Sequence, residues 1–136
     1  MTKPGKHRIL VVDDELTVCK SIRKVLIRED CEVDMVLSGE EALRKEAEQP
    51  YDVMIVDLMM PGLSGLDLLK MLKAGNPKAR IIMVTGYPTM RNTLQAIQLG
   101  AMDFLPKPFL PTTLRNLVAA ALEAGDDKPE GSGASG

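Results

Sequence analysis

Three unbroken apolar runs, residues 9–12, 53–56 and 81–84, form the clearest pattern in the chain. Each run has the length of a strand that is covered on both faces, which places it in the middle of a sheet. Residues 31–35 instead alternate apolar with acidic side chains, and residues 101–105 are interrupted by a charge. Both features are typical of edge strands. The pattern therefore predicts five strands, with the second and the fifth at the sheet edges.

Apolar residues at helical spacing fill the intervals between these strands and follow the last one. Ser38 stands three residues before Glu41, and Ser64 three residues before Asp67. This is the spacing of side chains that cap the first turn of a helix. Glycines mark predicted helix ends at Gly75, Gly100 and Gly125. The five predicted helices contain residues 18–26, 42–47, 66–72, 90–97 and 114–122.

Strict alternation of strands and helices predicts right-handed crossovers, a parallel sheet and helices on both of its faces. With strands two and five at the edges, the expected strand order is 2-1-3-4-5, the flavodoxin-like doubly wound α/β class. In such sheets the functional site lies beyond the carboxyl ends of the strands, between the first and third strands.

Polar residues follow four of the five predicted strands. Asp13 and Asp14 come after the first, Asp57 after the third, Thr85 after the fourth and Lys107 after the fifth. Carboxylates at the ends of neighbouring strands should lie within a few ångströms of one another, and oxygen ligands without His or Cys suit Mg²⁺ better than Ca²⁺. A carboxylate, a divalent metal, a lysine and a hydroxyl together suit the transfer of a phosphoryl group onto an aspartate.

Each of these residues also has a plain structural explanation when taken alone. Asp13 and Asp14 could cap the following helix, Asp57 could be a loop residue, Thr85 a turn residue and Lys107 a solvated surface group. Their joint placement favours a site, because independent structural roles would not select the same end of four strands.

Charge and composition exclude several functions. The chain has 136 residues and a net charge of −2, and the acidic surplus lies after Gly125. A neutral body without a basic cluster argues against direct binding of nucleic acid or anionic lipid. With 45% hydrophobic residues the chain can form a full core. No apolar run approaches the ~20 residues needed to span a bilayer.

The remaining single residues predict little chemistry. The N-terminal segment lacks the apolar stretch of a signal peptide, so a cytoplasmic location is expected. His7 is predicted to be solvated ahead of the first strand. Cys19 and Cys31 have no spacing that suggests a metal site or disulfide, and we expect both to be small buried hydrophobes.

Four segments resemble the motifs of the response-regulator receiver domain, the phospho-accepting module of two-component signalling. They are residues 11–15, 56–65, 84–86 and 104–109. The resemblance covers residues 7–124, with residues 1–6 as an N-terminal tail and residues 125–136 as a flexible linker or tail. It is nearest to receivers that precede transcriptional activators.

The resemblance implies a role for each acidic residue. Asp57 would be the phosphoacceptor, attacking a phosphohistidine on a sensor histidine kinase or phosphotransfer protein. Asp14 and Asp57 would bind Mg²⁺ directly together with the backbone carbonyl of Met59, and Asp13 would act through water. The domain would catalyse at most its own phosphorylation and dephosphorylation.

The resemblance also implies a switch. Lys107 would contact the phosphoryl group, and Thr85 would move to hydrogen-bond it. Phe104 would then pack inward and alter the face formed by the fourth helix, fifth strand and fifth helix, where a homodimer would form. The bond from Lys107 to Pro108 would be a cis peptide. Any output domain would lie outside this chain.

Three other functions remain to be weighed. An aspartate-nucleophile phosphohydrolase has an Asp-x-Asp-x-Thr motif, which residues 13–17 nearly match, but Glu15 replaces the second aspartate and no cap-sized insertion is present. A flavin-binding module would place a phosphate where this chain has acids. A pseudo-receiver would act without phosphorylation, but it would be expected to lack some of the acidic residues or the lysine, and none is missing.

Met59 and Tyr87, each two residues beyond a proposed site residue, stand where side chains can line the path of attacking water. We predict that these bulky residues slow hydrolysis of the aspartyl phosphate.

Overall fold

The computed structural model describes residues 7–28 and 30–126. Its strands are β1 His7–Val12, β2 Cys31–Val36, β3 Val53–Asp57, β4 Arg80–Thr85 and β5 Asp103–Pro106. Its helices are α1 Leu16–Leu26, α2 Gly39–Glu48, α3 Gly65–Gly75, α4 Met90–Gln98 and α5 Pro111–Asp126. The predicted alternation of five strands and five helices is confirmed.

The five strands form one parallel sheet in the order β2-β1-β3-β4-β5. The predicted edge strands and the flavodoxin-like order are therefore correct. In this register Val12 pairs with both Val36 and Val56, and Asp57 pairs with Val84. The carboxyl ends of β1, β3 and β4 consequently lie side by side.

Each face of the sheet is covered by its own core, as the unbroken apolar runs of the central strands require. Leu10 and Val12 pack on one face with residues of α2, α3 and α4, such as Leu68. Ile9 and Val11 alternate with them and pack on the other face with residues of α1 and α5. Two-sided burial of β1, β3 and β4 holds the strand ends rigidly.

The two predicted serine caps are present. The Ser38 hydroxyl accepts a hydrogen bond from the Glu41 backbone N–H, and the Ser64 hydroxyl accepts one from the Asp67 N–H, both at 3.2 Å. The Glu41 carboxylate in turn accepts from the Leu37 N–H at 3.1 Å. The first turns of α2 and α3 are thus capped by the residues that the sequence predicts.

The predicted fifth strand begins two residues too early. Gly100 has φ of 102°, and the Ala101 N–H donates to the carbonyl of Ala96 while the Gly100 N–H donates to that of Ile97. These two bonds form a Schellman motif that closes α4. The Ala101 N–H is therefore used to close the helix end, and β5 starts only at Asp103.

Two further predictions need correction. His7 is not solvated: it opens β1, its side chain is half-buried, and its Nδ1 lies 4.0 Å from Oδ2 of Asp52. Helix α5 passes the predicted stop at Gly125 and reaches Asp126, so these two residues belong to the helix and not to a linker. The predicted tails at residues 1–6 and 127–136 lie outside the described residues.

Cys19 and Cys31 are both buried and free, as predicted. Burial, with the nearby charge of Asp13, raises the pKa of the Cys19 thiol to about 11, so this thiol stays protonated. Within residues 7–28 and 30–126, every helix is too short or too polar to cross a lipid bilayer.

Candidate functional site

An acidic cavity of about 250 Å³ opens at the carboxyl ends of the strands. Its walls come from the β1–α1 loop, the end of β3 and the loops that follow β3, β4 and β5. The described residues that line it are Asp13, Asp14, Glu15, Asp57, Met59, Gly86, Tyr87 and Lys107. The site therefore lies where the fold class predicts it.

Three carboxylates converge in this cavity. Asp13, Asp14 and Asp57 each offer an oxygen within 4.8 Å of the other two. Asp13 and Asp57 are buried, and Asp14 is exposed. Asp13 is also held in place, because its Oδ1 accepts a hydrogen bond from the Glu15 N–H at 2.9 Å. A set of oxygen donors with one open side fits a hard divalent cation such as Mg²⁺.

Lys107 reaches into the cluster from the loop after β5. Its Nζ donates to Oδ2 of Asp13 at 3.2 Å and lies 3.5 Å from Oδ1 of Asp57. Partial burial opposes its charge, but attraction to Asp57 and Asp13 outweighs burial and raises the pKa of Lys107. The backbone also fixes this loop, since the Lys107 N–H donates to the Thr85 carbonyl at 2.7 Å. The peptide bond between Lys107 and Pro108 is cis, as the resemblance implies.

The environment of Asp57 makes its ionised form costly. Burial, followed by repulsion from Asp13, raises the pKa of Asp57 to about 6, although Lys107 acts in the opposite direction. One ammonium group thus offsets only part of the charge of three carboxylates. A cation bound between them would favour the ionised form of Asp57.

Thr85 ends β4 and is fully buried. Its Oγ1 accepts a hydrogen bond from the Tyr87 N–H at 3.0 Å. Thr85 is not among the described residues that line the cavity. Met59 and Tyr87 do line the cavity, and their side chains are 54% and 66% exposed. Both side chains are therefore largely exposed at the cavity that contains Asp57.

Phe104 lies on β5 beside Met83 and is half-buried against the core beneath α4. Close to it, α4 presents three large apolar side chains to solvent: Met90, Leu94 and Ile97 are 78%, 54% and 49% exposed. Their spacing puts them on one side of the helix. The three side chains thus form one exposed apolar side of α4.

Sequence reasoning missed one surface beside the site. A groove of about 610 Å³ runs between α1 and the start of α5, and its walls include Val18, Ile22, Phe109 and Lys107. Val18 and Phe109 are only half-buried, which leaves apolar surface in the groove. The signal in the sequence was the apolar stripe of α1, but its exposure depends on how α5 packs.

The fold and the site define a class: a doubly wound α/β domain with a carboxylate cluster and a paired lysine at the carboxyl ends of its strands. The family model for the response regulator receiver domain matches residues 9–119. The chain therefore belongs to the response-regulator receiver family of two-component signalling.

Individual relatives support this assignment. The chain is 33% identical to the transcriptional regulatory protein ZraR of Salmonella typhimurium, over 96% of this chain and 30% of that protein. It is 34% identical to the transcriptional regulatory protein ResD of Bacillus subtilis, over 90% of this chain and 50% of that protein. It thus spans half or less of the length of these two transcriptional regulatory proteins.

A solved structure agrees with the fold. The crystal structure of a response regulator receiver domain protein from Clostridium thermocellum has a TM-score of 0.82 and 34% identity, covering 88% of this chain and 97% of that chain. This similarity extends along nearly the whole of that receiver chain.

Proposed function

We propose that this domain accepts a phosphoryl group on Asp57 in a Mg²⁺-dependent reaction and relays the change to the face formed by α4, β5 and α5. The observation that carries the proposal is the convergence of Asp13, Asp14 and Asp57 within 4.8 Å, with the Lys107 ammonium on two of them. Such a cluster concentrates negative charge around a buried carboxylate, and its lysine provides a cationic partner for a phosphoryl group.

Asp14 and Asp57 would hold Mg²⁺ directly, the Met59 carbonyl would complete the protein ligands, and Asp13 would act through water. When bound, the metal would neutralise charge on the carboxylates and on the transferring phosphoryl group. Lys107 would supply a second positive charge from the carboxyl end of β5.

In the transfer itself, a carboxylate oxygen of Asp57 forms a bond to phosphorus while the bond between phosphorus and the donor's imidazole nitrogen breaks. The product is an acyl phosphate on Asp57 and a free histidine on the donor. Lys107 would orient the carboxylate, because its ammonium lies 3.5 Å from Oδ1 of Asp57 and is itself held by a hydrogen bond to Asp13. The domain would act on no separate substrate beyond its own phosphorylation and dephosphorylation.

The donor would be a sensor histidine kinase or a phosphotransfer protein. The apolar groove between α1 and the start of α5 adjoins Lys107 and offers surface for such a protein next to Asp57. We take residues 7–124, together with the last residues of α5, as the receiver unit in a cytoplasmic regulator. A C-terminal output domain would lie outside this chain, as the span of ZraR and ResD suggests.

The switch would depend on Thr85 and Phe104. Phosphorylation would add acceptor oxygens and charge near the buried Thr85 hydroxyl, which accepts a hydrogen bond from the Tyr87 N–H in the unphosphorylated domain. A hydroxyl that interacts differently with the two forms of Asp57 biases the population of conformations. Movement of Phe104 would alter the neighbouring apolar side of α4, through which a homodimer would form.

The test is mass spectrometry after incubation with Mg²⁺ and acetyl phosphate. We expect an adduct of ~80 Da, the mass of a phosphoryl group, which disappears in Asp57→Ala. The exposed Asp30, at the opposite end of the sheet, is the matched control, and Asp30→Ala should be labelled like the wild type. Absence of an adduct under all conditions would favour a pseudo-receiver, and turnover of unrelated phosphomonoesters would favour a hydrolase.

A further inference from the structure

The start of α3 lies closer to the end of β3 than any side chain permits. A Cβ built on Gly65 would stand 2.3 Å from the carbonyl oxygen of Asp57, 2.6 Å from the Cα of Leu58 and 2.8 Å from the Leu58 carbonyl oxygen. The Gly65 N–H also donates to that Leu58 carbonyl at 3.0 Å. All three crowded atoms belong to the backbone, so none can rotate out of the way.

Backbone conformation does not explain this glycine. Among the described glycines only Gly62 and Gly100 have positive φ, so Gly65 occupies a conformation open to any residue. In an ordinary helix alanine is preferred over glycine at such a position. The requirement at residue 65 is therefore the absence of a side chain.

The contact closes the loop of residues 58–64, which carries Met59. One end of the loop is held where the Leu58 N–H donates to the Val84 carbonyl at 2.8 Å, and the other where Gly65 meets Leu58. Near the second end, Leu63 packs on Gly39 so closely that a Cβ on Gly39 would lie 2.8 Å from its Cδ2. The loop is thus held at both ends, and Leu63 adds a packing contact beside the second.

A methyl group at residue 65 would need about 1 Å of additional space to reach ordinary van der Waals separation. β3 is hydrogen-bonded to β1 on one side and β4 on the other, so the strand resists displacement. The displacement would fall instead on the start of α3 and on the loop.

We propose that Gly65 is a positioning residue for the metal site, because its missing side chain lets α3 close the loop that holds the Met59 carbonyl beside Asp57. The inference rests on the proposed function, in which that carbonyl is a Mg²⁺ ligand. Gly65 itself contacts neither the metal nor the phosphoryl group.

The test compares Gly65→Ala with Gly75→Ala in the full chain. Gly75 ends the same helix and has no positive φ, and a Cβ there would meet nothing within 4 Å. Gly75→Ala therefore controls for the replacement of glycine by alanine itself. Mg²⁺ affinity is measured by calorimetric titration at a temperature where circular dichroism shows each variant folded. We expect the dissociation constant to rise about tenfold or more in Gly65→Ala and to stay unchanged in Gly75→Ala.

A purely structural role for Gly65 would lower thermal stability but leave Mg²⁺ affinity of the folded protein unchanged, and that result would overturn the inference. If Gly65→Ala does not fold, the same Mg²⁺ titration is made with Leu63→Ala. This substitution removes a packing contact of the same loop and adds no atom that must be accommodated. Weaker Mg²⁺ binding in Leu63→Ala supports the inference, and wild-type affinity refutes it. If the wild-type chain neither binds Mg²⁺ nor becomes phosphorylated, the proposed function itself fails.

Discussion

The burial of Asp57 makes a quantitative prediction about stability. Its pKa is raised to about 6 by burial and by the charge of Asp13, whereas an aspartate in the unfolded chain titrates near 3.8. The folded protein therefore binds this proton more tightly than the unfolded chain does. By linkage, this carboxyl lowers the stability of the metal-free protein as the pH rises from about 4 to about 6.

The size of the effect follows from the rise in pKa. Each whole step in pKa corresponds to about 1.4 kcal/mol, so a rise of about 2 corresponds to roughly 3 kcal/mol of lost stability above pH 6. The attraction of Lys107 is already contained in this pKa. Asp57→Asn keeps the shape but removes the charge, and it should stabilise the metal-free protein at pH 7 by up to about 3 kcal/mol. For a domain of this size that gain corresponds to roughly 10 °C in Tm.

Urea unfolding followed by circular dichroism in the presence of a chelator measures this difference. The gap between Asp57→Asn and the wild type should be near zero at about pH 4, grow between pH 4 and 6, and level off above that range. Added Mg²⁺ should stabilise the wild type more than the variant, because the metal binds the native site. The Asp30→Asn control should show no gain.

Either of two results would refute this account of Asp57. The first is a variant that is no more stable than the wild type at pH 7. The second is a gap that does not shrink as the pH falls, since a packing effect of the amide would not depend on protonation of the carboxyl.

Other residues make further predictions. Met59→Asn should shorten the lifetime of the phosphorylated form severalfold, because water would reach the aspartyl phosphate more easily. The lifetime is measured as decay of the mass adduct after the phosphodonor is removed, and an unchanged half-life would contradict this. Ser38→Ala should cost about 1 kcal/mol in urea unfolding, because the Glu41 N–H loses its cap, while Ser38→Asp should restore it. Gly100→Ala should cost at least about 1–2 kcal/mol because of its positive φ, and Gly75→Ala should be neutral or slightly stabilising by the same assay.

Much of the fold could be predicted because its signals are local. The apolar runs at residues 9–12, 53–56 and 81–84 match the interiors of β1, β3 and β4, and both edge strands were recognisable from their interrupted patterns. The start of β5 was predicted wrongly, because the two hydrogen bonds that close α4, from the N–H groups of Gly100 and Ala101, involve backbone atoms and leave no mark on the apolar periodicity. The half-buried position of His7 was also missed, because its contact with Asp52 joins residues that are distant in sequence.

The chain by itself determined the composition of the site, because parallel strands in alternation with helices must bring Asp13, Asp57 and Lys107 to one end of the sheet. Only the tertiary structure decided how these groups meet. It sets which carboxylates Lys107 contacts and how far burial raises the pKa of Asp57. It also shows why residue 65 has no side chain. Residue type and spacing are properties of one segment of chain. Distances, solvent exclusion and close backbone contacts arise between segments, so they exist only once the segments have packed.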